Sequence, residues 1–504
     1  MDSARKKIAV IGTGAAGFGV LTALLRKKSD FDIVIFDIGK DVSQASLPDS
    51  PSADEVSTYY DQVYKEINSK QPRKFPPPKT HLAKQIPRQP VGQDISIFKS
   101  ESFGGLTNYW GSTMLPFTKR ELAKWPISRE DLNPYYKLIA DTVGLSAESS
   151  ALDEYFEENF AVLPPIKPID ELILLNEAIN ENKKSKKFKI ISGINHCGVE
   201  TRPDLKRSCV YCGECLAGCF KDAIFSARQK INEYLSDSRI KETRRVAVKK
   251  IKKQDQFWEI ETIDGKKEAG FTQVFLAAGC PASTEIVLRS FDISDNLVMA
   301  DNAVYVFPII YFGRKISSAD HSYVSLCNLI LGCVPNNSSD QLAQAQIYPN
   351  FDYMWRYNIP NFLWPLLKPV VTWFRSHIFW ARLYVHSDYS QSYSVRLEDD
   401  KLKMEKHKKA NYNNQLKILM ADLRRAISGK KFYLPPVKPI LQKVNSHYTS
   451  TLPFGNEILN VSVDGEVAPG LYLCDSSIFP AAPAINPGFT IMANACRIAD
   501  KAID

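Results

Sequence analysis

The first forty residues contain the pattern that most restricts how this chain can fold. A short apolar run leads into Gly12, Gly14 and Gly17, spaced G-x-G-x-x-G, then into a helical pattern and a second apolar run that ends at Asp37. The first glycine allows a tight turn, the second lets the backbone approach a pyrophosphate, and the third lets helix pack on strand. The phosphates would lie at the helix N-terminus, where free N–H groups and the helix dipole attract anions.

Asp37 lies twenty residues beyond Gly17, at the end of the second apolar run. Its carboxylate would accept ribose hydroxyls and disfavours a 2′-phosphate, and so NADP. We therefore predict a Rossmann-like dinucleotide-binding unit with a parallel sheet.

Length and composition indicate a globular chain of more than one domain. The chain has 504 residues and a mass of 56.8 kDa, more than one hydrophobic core usually organises. Its net charge of +8 is a mild excess without a dominant basic face or tail, so we predict no nucleic-acid partner. No run of 18 uncharged apolar residues occurs, and Met1 to Lys7 is short and polar. We therefore expect a cytoplasmic protein without a spanning helix or a cleavable signal peptide.

Several later segments resemble, in order and spacing, the glucose–methanol–choline (GMC) family of flavin oxidoreductases, and the resemblance spans nearly the whole chain. The segments are Gly104-Gly105-Leu-Thr107-Asn108-Tyr-Trp110-Gly111, Trp125-Pro126 to Pro134-Tyr135-Tyr136, Phe275-Leu-Ala-Ala-Gly279 with Ser283 to Ser290, His447 to Gly455, Asp475 to Pro480, and Asn486-Pro487. The resemblance decides between NAD and FAD, because in such enzymes FAD lies extended through the first domain.

The same resemblance implies which residues approach FAD beyond the glycine turn and Asp37. The segment Gly104, Gly105, Thr107 and Asn108 would approach the pyrophosphate and isoalloxazine, with Trp110 beside them. The remaining contacts would be Val248 at the adenine, Ala278 and Gly279 at the ADP half, Asp475 at the ribityl chain, and Asn486 with Pro487 at the flavin ring. Trp110 could equally be a core residue, since large aromatic side chains are usually buried for packing.

The catalytic pair implied by the resemblance is His447 and Asn486. A histidine suits the base that takes the hydroxyl proton of an alcohol, because its ordinary pKa of about 6.5 lies near working pH. Asn486 cannot titrate and would hold the substrate oxygen by hydrogen bonding. The chain departs from the family's pattern at Pro453, Ser450 and Phe454, which leaves the pocket shape open. His386 and His321 lie in the expected substrate domain and could also reach the pocket.

Four cysteines, Cys209, Cys212, Cys215 and Cys219, are spaced C-x2-C-x2-C-x3-C. This spacing favours one iron–sulfur cluster, either 4Fe–4S with all four thiolates or 3Fe–4S without Cys219. A zinc site is a competitor, although zinc ligands more often come as two separated pairs. A third interpretation is a site without metal, holding thiols or disulfides.

The aromatic residues between 353 and 385 are mixed with prolines and basic side chains. The prolines forbid a single spanning helix. We expect either a helical lid packed over the active site or a peripheral contact with a membrane surface, through which the protein could reach a quinone or lipid-linked substrate.

The predicted architecture is α/β and α+β, with a discontinuous FAD-binding domain and a substrate domain built on a mainly antiparallel sheet. The FAD-binding domain is expected at 1–145, 196–300 (with the cysteine cluster) and 442–504. The substrate domain is expected at 301–441, and residues 146–195 are expected to form its first part or a cap. Residues 43–90, which include Pro76 to Pro78, are predicted to be an irregular excursion. Strands are expected at 246–251, 257–263 and 272–276, and Asp264-Gly265 predicts a hairpin between the last two.

These features together predict a dehydrogenase that oxidises the CH–OH group of a sugar, polyol or related alcohol. FAD would take the hydride, and electrons would leave through the iron–sulfur cluster to a protein or quinone acceptor. Three alternatives stay open: a GMC oxidase that uses O2 and has structural cysteines, a non-catalytic flavin or metal electron-transfer protein, and a non-catalytic partner at a membrane surface.

Overall fold

The computed structural model describes the chain except for residues 1–4, 43–46, 49–50, 71–87, 93–94, 183–184, 204, 317–322, 338–340, 351–354, 357–358, 361, 408–412, 443–445 and 504. The prolines at 76–78, His321 and the first two residues of the aromatic stretch therefore lie outside the described residues.

The secondary structure of the described residues alternates between helices and strands. The α-helices are α1 Ala15–Arg26, α2 Ala53–Lys70, α3 Arg129–Val143, α4 Leu152–Phe156, α5 Asp170–Glu181, α6 Ala227–Tyr234, α7 Cys280–Ser290, α8 Trp364–Arg375, α9 Asn413–Ile427 and α10 Gly488–Ile503. Short 3-10 helices lie at Gly105–Asn108, Glu121–Lys124, Ser387–Tyr389 and Ser476–Ile478. The strands are β1 Lys6–Ile11, β2 Phe31–Asp37, β3 Arg88–Gly92, β4 Ile95–Phe98, β5 Phe188–Ile194, β6 Ile240–Arg245, β7 Val248–Gln254, β8 Phe257–Thr262, β9 Lys267–Phe271, β10 Gln273–Leu276, β11 Leu297–Met299, β12 Ala303–Tyr311, β13 Leu329–Pro335, β14 Ala343–Tyr348, β15 Ile378–Val385, β16 Tyr393–Glu398, β17 Lys401–Lys406, β18 Phe432–Tyr433, β19 Ile440–Leu441, β20 Glu466–Ala468 and β21 Leu471–Leu473.

The first main sheet has the strand order β20-β21-β10-β1-β2-β6 and confirms the predicted parallel unit. Every neighbouring pair from β21 to β6 is parallel, and only β20 runs antiparallel to its neighbour. Its strands come from both ends and the middle of the sequence. Because parallel strands share one carboxyl edge, the segments that follow β1, β2, β10 and β21 meet at the same place.

Helix α1 packs between this sheet and α10. Its residues from Ala16 to Leu24 are all buried, as expected of a helix covered on both sides. Gly19 allows the two helices to approach closely, because a Cβ there would lie 2.3 Å from the carbonyl oxygen of Met492. The sequence in α1 thus fixes the position of the chain's C-terminal helix, which begins immediately after Asn486-Pro487.

The second main sheet is antiparallel, with the order β18-β12-β15-β14-β13-β5, and β19 also pairs with β12. Successive side chains point to opposite faces of a sheet. On β14 and β15 one face is apolar, formed by Ala343, Ala345, Ile347, Phe379, Ala381 and Leu383, and the other carries Gln344, Gln346, Tyr348, Trp380, Arg382 and Tyr384. The glutamines and tyrosines of this second face are nevertheless buried. We call it the polar face, and it lies against the C-terminal segments. The strands of this sheet fall within 146–195 and 301–441, while the domain boundaries remain a prediction.

The prediction of an irregular excursion at 43–90 is wrong for its central part, which forms α2. The apolar positions Val56, Tyr60, Val63 and Tyr64 repeat at helical spacing, and Tyr60 and Tyr64 are fully buried. The proline-rich flank hid this period. The Tyr60 hydroxyl donates to the Gly218 carbonyl at 2.8 Å, so α2 covers the cysteine loop.

The Asp264-Gly265 turn does form a hairpin, but with a different second strand. It joins β8 to β9, an additional strand that the sequence interpretation missed. The expected partner, β10, instead pairs in parallel with β1 and β21. One residue, Lys266, separates the turn from β9, and one residue, Thr272, separates β9 from β10, so the sequence pattern runs on from β9 into β10 without a break.

The aromatic stretch 353–385 is not one surface segment. Its last part is β15, a central strand whose Phe379, Ala381 and Leu383 are completely buried. A surface role is therefore restricted to residues up to the end of α8. No helix among the described residues is long and apolar enough to cross a membrane.

Candidate active site and cysteine loop

The glycine turn predicted to hold a pyrophosphate lies at the carboxyl edge of the parallel sheet. Gly12 has φ +101°, and a Cβ there would lie 2.4 Å from the Ala277 carbonyl oxygen. A Cβ on Gly17 would lie 2.0 Å from the Gly12 carbonyl oxygen. Both positions thus exclude any side chain. Gly14 is the N-cap of α1 without a capping side chain, and the first turn has no acidic residue. The helix N-terminus is therefore open to an anion.

Asp37 ends β2 beside this turn. Its Oδ2 accepts hydrogen bonds from the Thr13 backbone N–H at 2.8 Å and the Thr13 hydroxyl at 2.7 Å, and its Oδ1 accepts from Gly39 N–H at 2.7 Å. Burial raises the pKa of Asp37 to about 6, although these hydrogen bonds oppose the rise. The carboxylate is thus held rigidly at the edge where a ribose would lie. Val248, the predicted adenine contact, begins β7 just after β6, the neighbour of β2.

The loop predicted to approach pyrophosphate and isoalloxazine packs against the same turn. Gly104 N–H donates to the Thr13 hydroxyl at 2.9 Å, which links this loop to Asp37. A Cβ on Gly105 would lie 3.0 Å from Gly14 Cα, so the two glycine backbones face each other. Within the loop, the Asn108 amide donates to the carbonyls of Phe103 and Gly105. The Thr107 hydroxyl donates to Gly104 O at 2.5 Å and accepts from Ala227 N–H at 2.9 Å.

Trp110 connects this loop to the Asn486 segment. Its indole N–H donates to the Phe225 carbonyl at 2.8 Å. A Cβ on Gly488, two residues past Asn486, would lie 2.7 Å from the Trp110 ring. The ring is only partly buried, so Trp110 is packed against the site without being sealed in the core.

Asp475, Ala278 and Gly279 meet at the ends of β21 and β10. One oxygen of Asp475 accepts from Gly279 N–H at 2.9 Å and from the Ser283 hydroxyl, and the other accepts from Ser477 N–H at 3.0 Å. Burial raises the pKa of Asp475, against the effect of these bonds. The carboxylate therefore fixes the two chain segments that the resemblance places at FAD.

The residues around this edge fit FAD. The glycines that exclude side chains, the uncapped start of α1 and the carboxylate of Asp37 provide, in order, backbone approach, an anion site and ribose acceptors. They are arranged along one edge of the parallel sheet, as a dinucleotide requires.

His447 lies between the carboxyl-edge segments and the polar face. Its ring stacks on Tyr384, with 5.6 Å between centroids and 22° between planes. Its Nδ1 lies 3.0 Å from the Asn302 side-chain nitrogen, which also donates to the Pro483 carbonyl at 3.0 Å. Because this Asn302 atom donates to the Pro483 carbonyl oxygen, it is the nitrogen of the side-chain amide. His447 Nδ1 therefore accepts a hydrogen bond from it, and the neutral ring carries its hydrogen on Nε2. Burial lowers the pKa of His447 to about 3, and the Arg382 guanidinium contributes to this lowering.

Asn486 lies against the same part of the polar face. Its Oδ1 accepts from Gln344 and Gln346 on β14, and its amide also hydrogen-bonds Tyr384. Tyr384 therefore contacts both members of the predicted catalytic pair. Because Oδ1 is already occupied, the amide N–H is the group that Asn486 can offer to another oxygen.

Several residues around the pair were missed by the sequence interpretation. They are Asn302, Gln344, Gln346, Arg382 and Tyr384, and Thr13 was missed likewise at the glycine turn beside Asp37. The alternation Ala-Gln-Ala-Gln-Ile-Tyr in β14 predicts two unlike faces, but it cannot show that the polar one is buried. His386, an expected second candidate, instead caps the short helix Ser387–Tyr389, where its Nδ1 accepts from Asp388 N–H at 3.1 Å.

The four cysteines of the C-x2-C-x2-C-x3-C motif come together around one cavity, which is also lined by Val199, Ile224, Val324 and Leu326. All ten cysteines of the chain are free thiols, so disulfides do not hold the loop. Gly213 and Gly218 have φ +77° and +115°, as tight turns around the cavity require.

Backbone N–H groups already point at three of these sulfurs. Tyr211 N–H donates to Cys209, Glu214 N–H to Cys212, and Ala223 N–H to Cys219 at 3.4 Å. Burial and neighbouring thiols raise the pKa of Cys209 to about 12. Across the described ranges, no three His, Cys, Asp or Glu side chains are arranged to hold a metal ion.

Comparison with known proteins supports the fold. No family model matches the chain, and no curated protein matches its sequence significantly. Among solved structures, the crystal structure of pyridoxine 4-oxidase from Mesorbium loti matches with a TM-score of 0.61 at 14% identity, covering 99% of each chain. At this identity the likeness concerns the fold alone. The predicted fold class, a Rossmann-like unit combined with a largely antiparallel sheet, is thereby confirmed.

Proposed function

We propose that the protein is a GMC-type, FAD-dependent oxidoreductase that acts on the CH–OH group of a sugar, polyol or related alcohol. The observation that carries this proposal is the common contact of His447 and Asn486 with Tyr384, beside the carboxyl edge of the nucleotide-type sheet. Pyridoxine 4-oxidase, which shares the fold, is by name an oxidase. FAD, when bound, supplies a hydride acceptor for the alcohol carbon.

The residues that would hold FAD are those gathered at the sheet edge. Gly12, Gly14 and Gly17 give the pyrophosphate access to the start of α1, and Asp37 accepts the ribose hydroxyls. The loop Gly104, Gly105, Thr107 and Asn108 with Trp110 borders the flavin, as do Asn486 and Pro487. Val248, Ala278, Gly279 and Asp475 complete the set.

In this proposal His447 and Asn486 both act at the alcohol oxygen, with different roles. Asn486 donates its amide N–H to that oxygen and orients it. His447 is neutral at working pH, because its pKa is low. To take the hydroxyl proton on Nε2, the ring must carry its hydrogen on Nδ1, the nitrogen that now accepts from Asn302. This tautomer requires the Asn302 amide to turn its oxygen toward Nδ1 and give up its bond to the Pro483 carbonyl, and the substrate proton then ends on Nε2.

Replacement of His447 tests this assignment. His447→Ala should keep the flavin but slow its reduction by alcohol roughly a hundredfold or more, the usual contribution of a positioned base. The matched control is His407→Ala, because His407 is exposed at the end of β17. Equal reduction rates in the two variants at saturating alcohol would remove His447 from the base position.

We further propose that the cysteine loop binds one iron–sulfur cluster, 4Fe–4S or 3Fe–4S, which passes electrons to a protein or quinone acceptor. Three observations support the cluster. The four cysteines share one cavity, Gly213 and Gly218 have positive φ, and backbone N–H groups donate to the sulfur atoms and so stabilise thiolate charge. A single zinc ion would need four sulfurs about 3.8 Å apart, from the usual Zn–S length. Since no three His, Cys, Asp or Glu side chains of the described residues are arranged to hold a metal ion, the preference for a cluster over zinc rests on the spacing of the four cysteines. A cluster requires a wider thiolate cage.

The loop is also connected to the proposed flavin site. Cys219 accepts from Ala223 N–H, and Ile224 lines the cavity next to Phe225, whose carbonyl accepts from the Trp110 indole. This short connection supports electron exit through the cysteine loop.

A second candidate is an oxidase that uses O2 and whose cysteines are structural. The fold shared with an oxidase favours it. Iron and sulfide analysis of anaerobically purified protein, together with hydrogen peroxide production during turnover, distinguishes the two candidates. Iron with little peroxide supports the dehydrogenase, and peroxide without iron supports the oxidase.

We also propose that α8 contacts a membrane surface. Leu366, Val370 and Trp373 are 73%, 51% and 58% exposed along one side of the helix, and Phe362, just before the helix, is 80% exposed, while Trp364 and Val371 face inward. Lys368 is exposed on the same helix, which suits an anionic lipid surface, whereas Arg375 lies over the Tyr323 ring. Such a stripe is larger than the scattered apolar residues of an ordinary surface.

A further inference from the structure

Arg382 is a cation on the polar face without an acidic partner. Its guanidinium donates to Gln442 Oε1 at 3.0 Å and lies 5.6 Å from the centre of the Tyr384 ring. It also hydrogen-bonds the Tyr348 hydroxyl. No Asp or Glu of the described chain forms an ion pair with it. By contrast, Arg356 and Arg497 pair with Asp61 and Asp464 respectively.

An interior guanidinium without a counter-ion is unfavourable, because neutral oxygens replace only part of its hydration. The Nε atom of Arg382 is buried and has no hydrogen-bond partner. Within the described residues the charge of Arg382 therefore meets only neutral partners, which leaves it available to an anion that is not part of the chain.

The position of Arg382 connects it to the proposed catalytic pair. It pairs in register with Gln346, which donates to Asn486. Tyr384 lies two residues further along the same strand, and its ring stacks on His447. Arg382 is also the cation that acts on the pKa of both His447 and Tyr384. A small molecule with its hydroxyl between His447 and Asn486 would thus extend toward the guanidinium.

We propose that Arg382 determines specificity by binding a carboxylate of the substrate, so that the enzyme oxidises the CH–OH group of an acidic alcohol such as a hydroxy acid or sugar acid. One guanidinium matches one negative charge, and its fork of N–H donors matches the two oxygens of a carboxylate. A phosphate ester, with nearly two charges, would call for a second cation. This inference rests on the proposed function and narrows its substrate class.

Acetate is the probe that tests the site, because it is a small carboxylate and has no hydroxyl to oxidise. We expect acetate to compete with a neutral alcohol in anaerobic flavin reduction, while chloride at equal ionic strength does not. In Arg382→Gln the inhibition constant for acetate should rise about tenfold or more, as loss of a charge-assisted hydrogen bond implies. Arg382→Lys keeps the charge but loses the fork of donors, so its inhibition constant for acetate should lie between those of wild type and Arg382→Gln.

The same comparison on substrates uses glycolate and ethane-1,2-diol, which differ by a carboxylate in place of a CH2OH group. Wild type should reduce its flavin more efficiently with glycolate, and Arg382→Gln should lose that preference. Wild-type reduction by a neutral alcohol that acetate does not inhibit would overturn the inference and leave the proposed function standing. A protein without flavin, or a flavin that no alcohol reduces, would instead refute the proposed function. If Arg382→Gln does not fold, wild type and Arg382→Lys still decide between these outcomes.

Discussion

The low pKa of His447 predicts an unusual pH dependence for the chemical step. An ordinary histidine, with a pKa of about 6.5, is only about 3% neutral at pH 5, whereas a histidine with a pKa of about 3 is about 99% neutral. If the neutral ring takes the substrate proton, lowering the pH from 8 to 5 should change the flavin-reduction rate less than twofold. An unperturbed base would lose about thirtyfold over the same range. The cause of the difference is burial of the ring, aided by Arg382.

The assay is anaerobic stopped-flow reduction at saturating neutral alcohol between pH 8 and pH 5. Excess FAD must be present, because the pKa of Asp37 is raised to about 6 and protonation of this carboxyl would weaken FAD binding in the lower part of the range. Circular dichroism at pH 5 checks that the protein stays folded. A rate that falls about tenfold for each pH unit below 6.5 would refute the reasoning, since it would mean that the catalytic base is exposed to solvent or is another group.

Three other replacements test separate parts of the account. Asp37→Ala should weaken FAD binding by about 1–3 kcal/mol, because charge-assisted bonds to the ribose are lost; an unchanged dissociation constant for FAD in isothermal titration would contradict this. Cys212→Ser should leave flavin reduction by alcohol intact but abolish iron content and slow transfer to one-electron acceptors, whereas Cys333→Ser, in β13 away from the cavity, should keep iron. Equal iron in the two variants would remove the cysteine loop from the cluster assignment. Trp373→Asp should reduce flotation with vesicles that contain anionic lipid, and flotation that is absent in wild type, or equal in both, would count against α8 as a membrane contact.

The nucleotide-type part of the fold was predictable from sequence because its constraints are local. Gly12 and Gly17 stand where no side chain fits, and a short strand on each side defines a parallel unit. Packing of the Gly104 loop on Thr13 needed the resemblance, since no local pattern connects residues 91 positions apart. Helix α2 was missed because prolines beyond it obscured the helical period of its buried tyrosines.

The polar face could not be predicted, for a physical reason. Alternation of polar and apolar residues in β14 and β15 is the pattern of a half-exposed antiparallel strand. Burial of Gln344 and Gln346 depends on the C-terminal segments that pack over them, a long-range contact that no window of sequence contains. Asn302 was missed for the same reason, because its role comes from contacts with His447 and Pro483 far along the chain.

The central claim is that FAD, bound at the edge of the parallel sheet, takes hydride from an alcohol held by His447 and Asn486. The visible absorption spectrum of the protein, purified anaerobically and then mixed with a panel of neutral and acidic alcohols, tests this claim most directly. The account predicts flavin absorbance in the purified protein, bleaching by at least one alcohol in wild type, and far slower bleaching in His447→Ala. A protein that carries no flavin, or whose flavin is bleached by dithionite but by no alcohol, would contradict it.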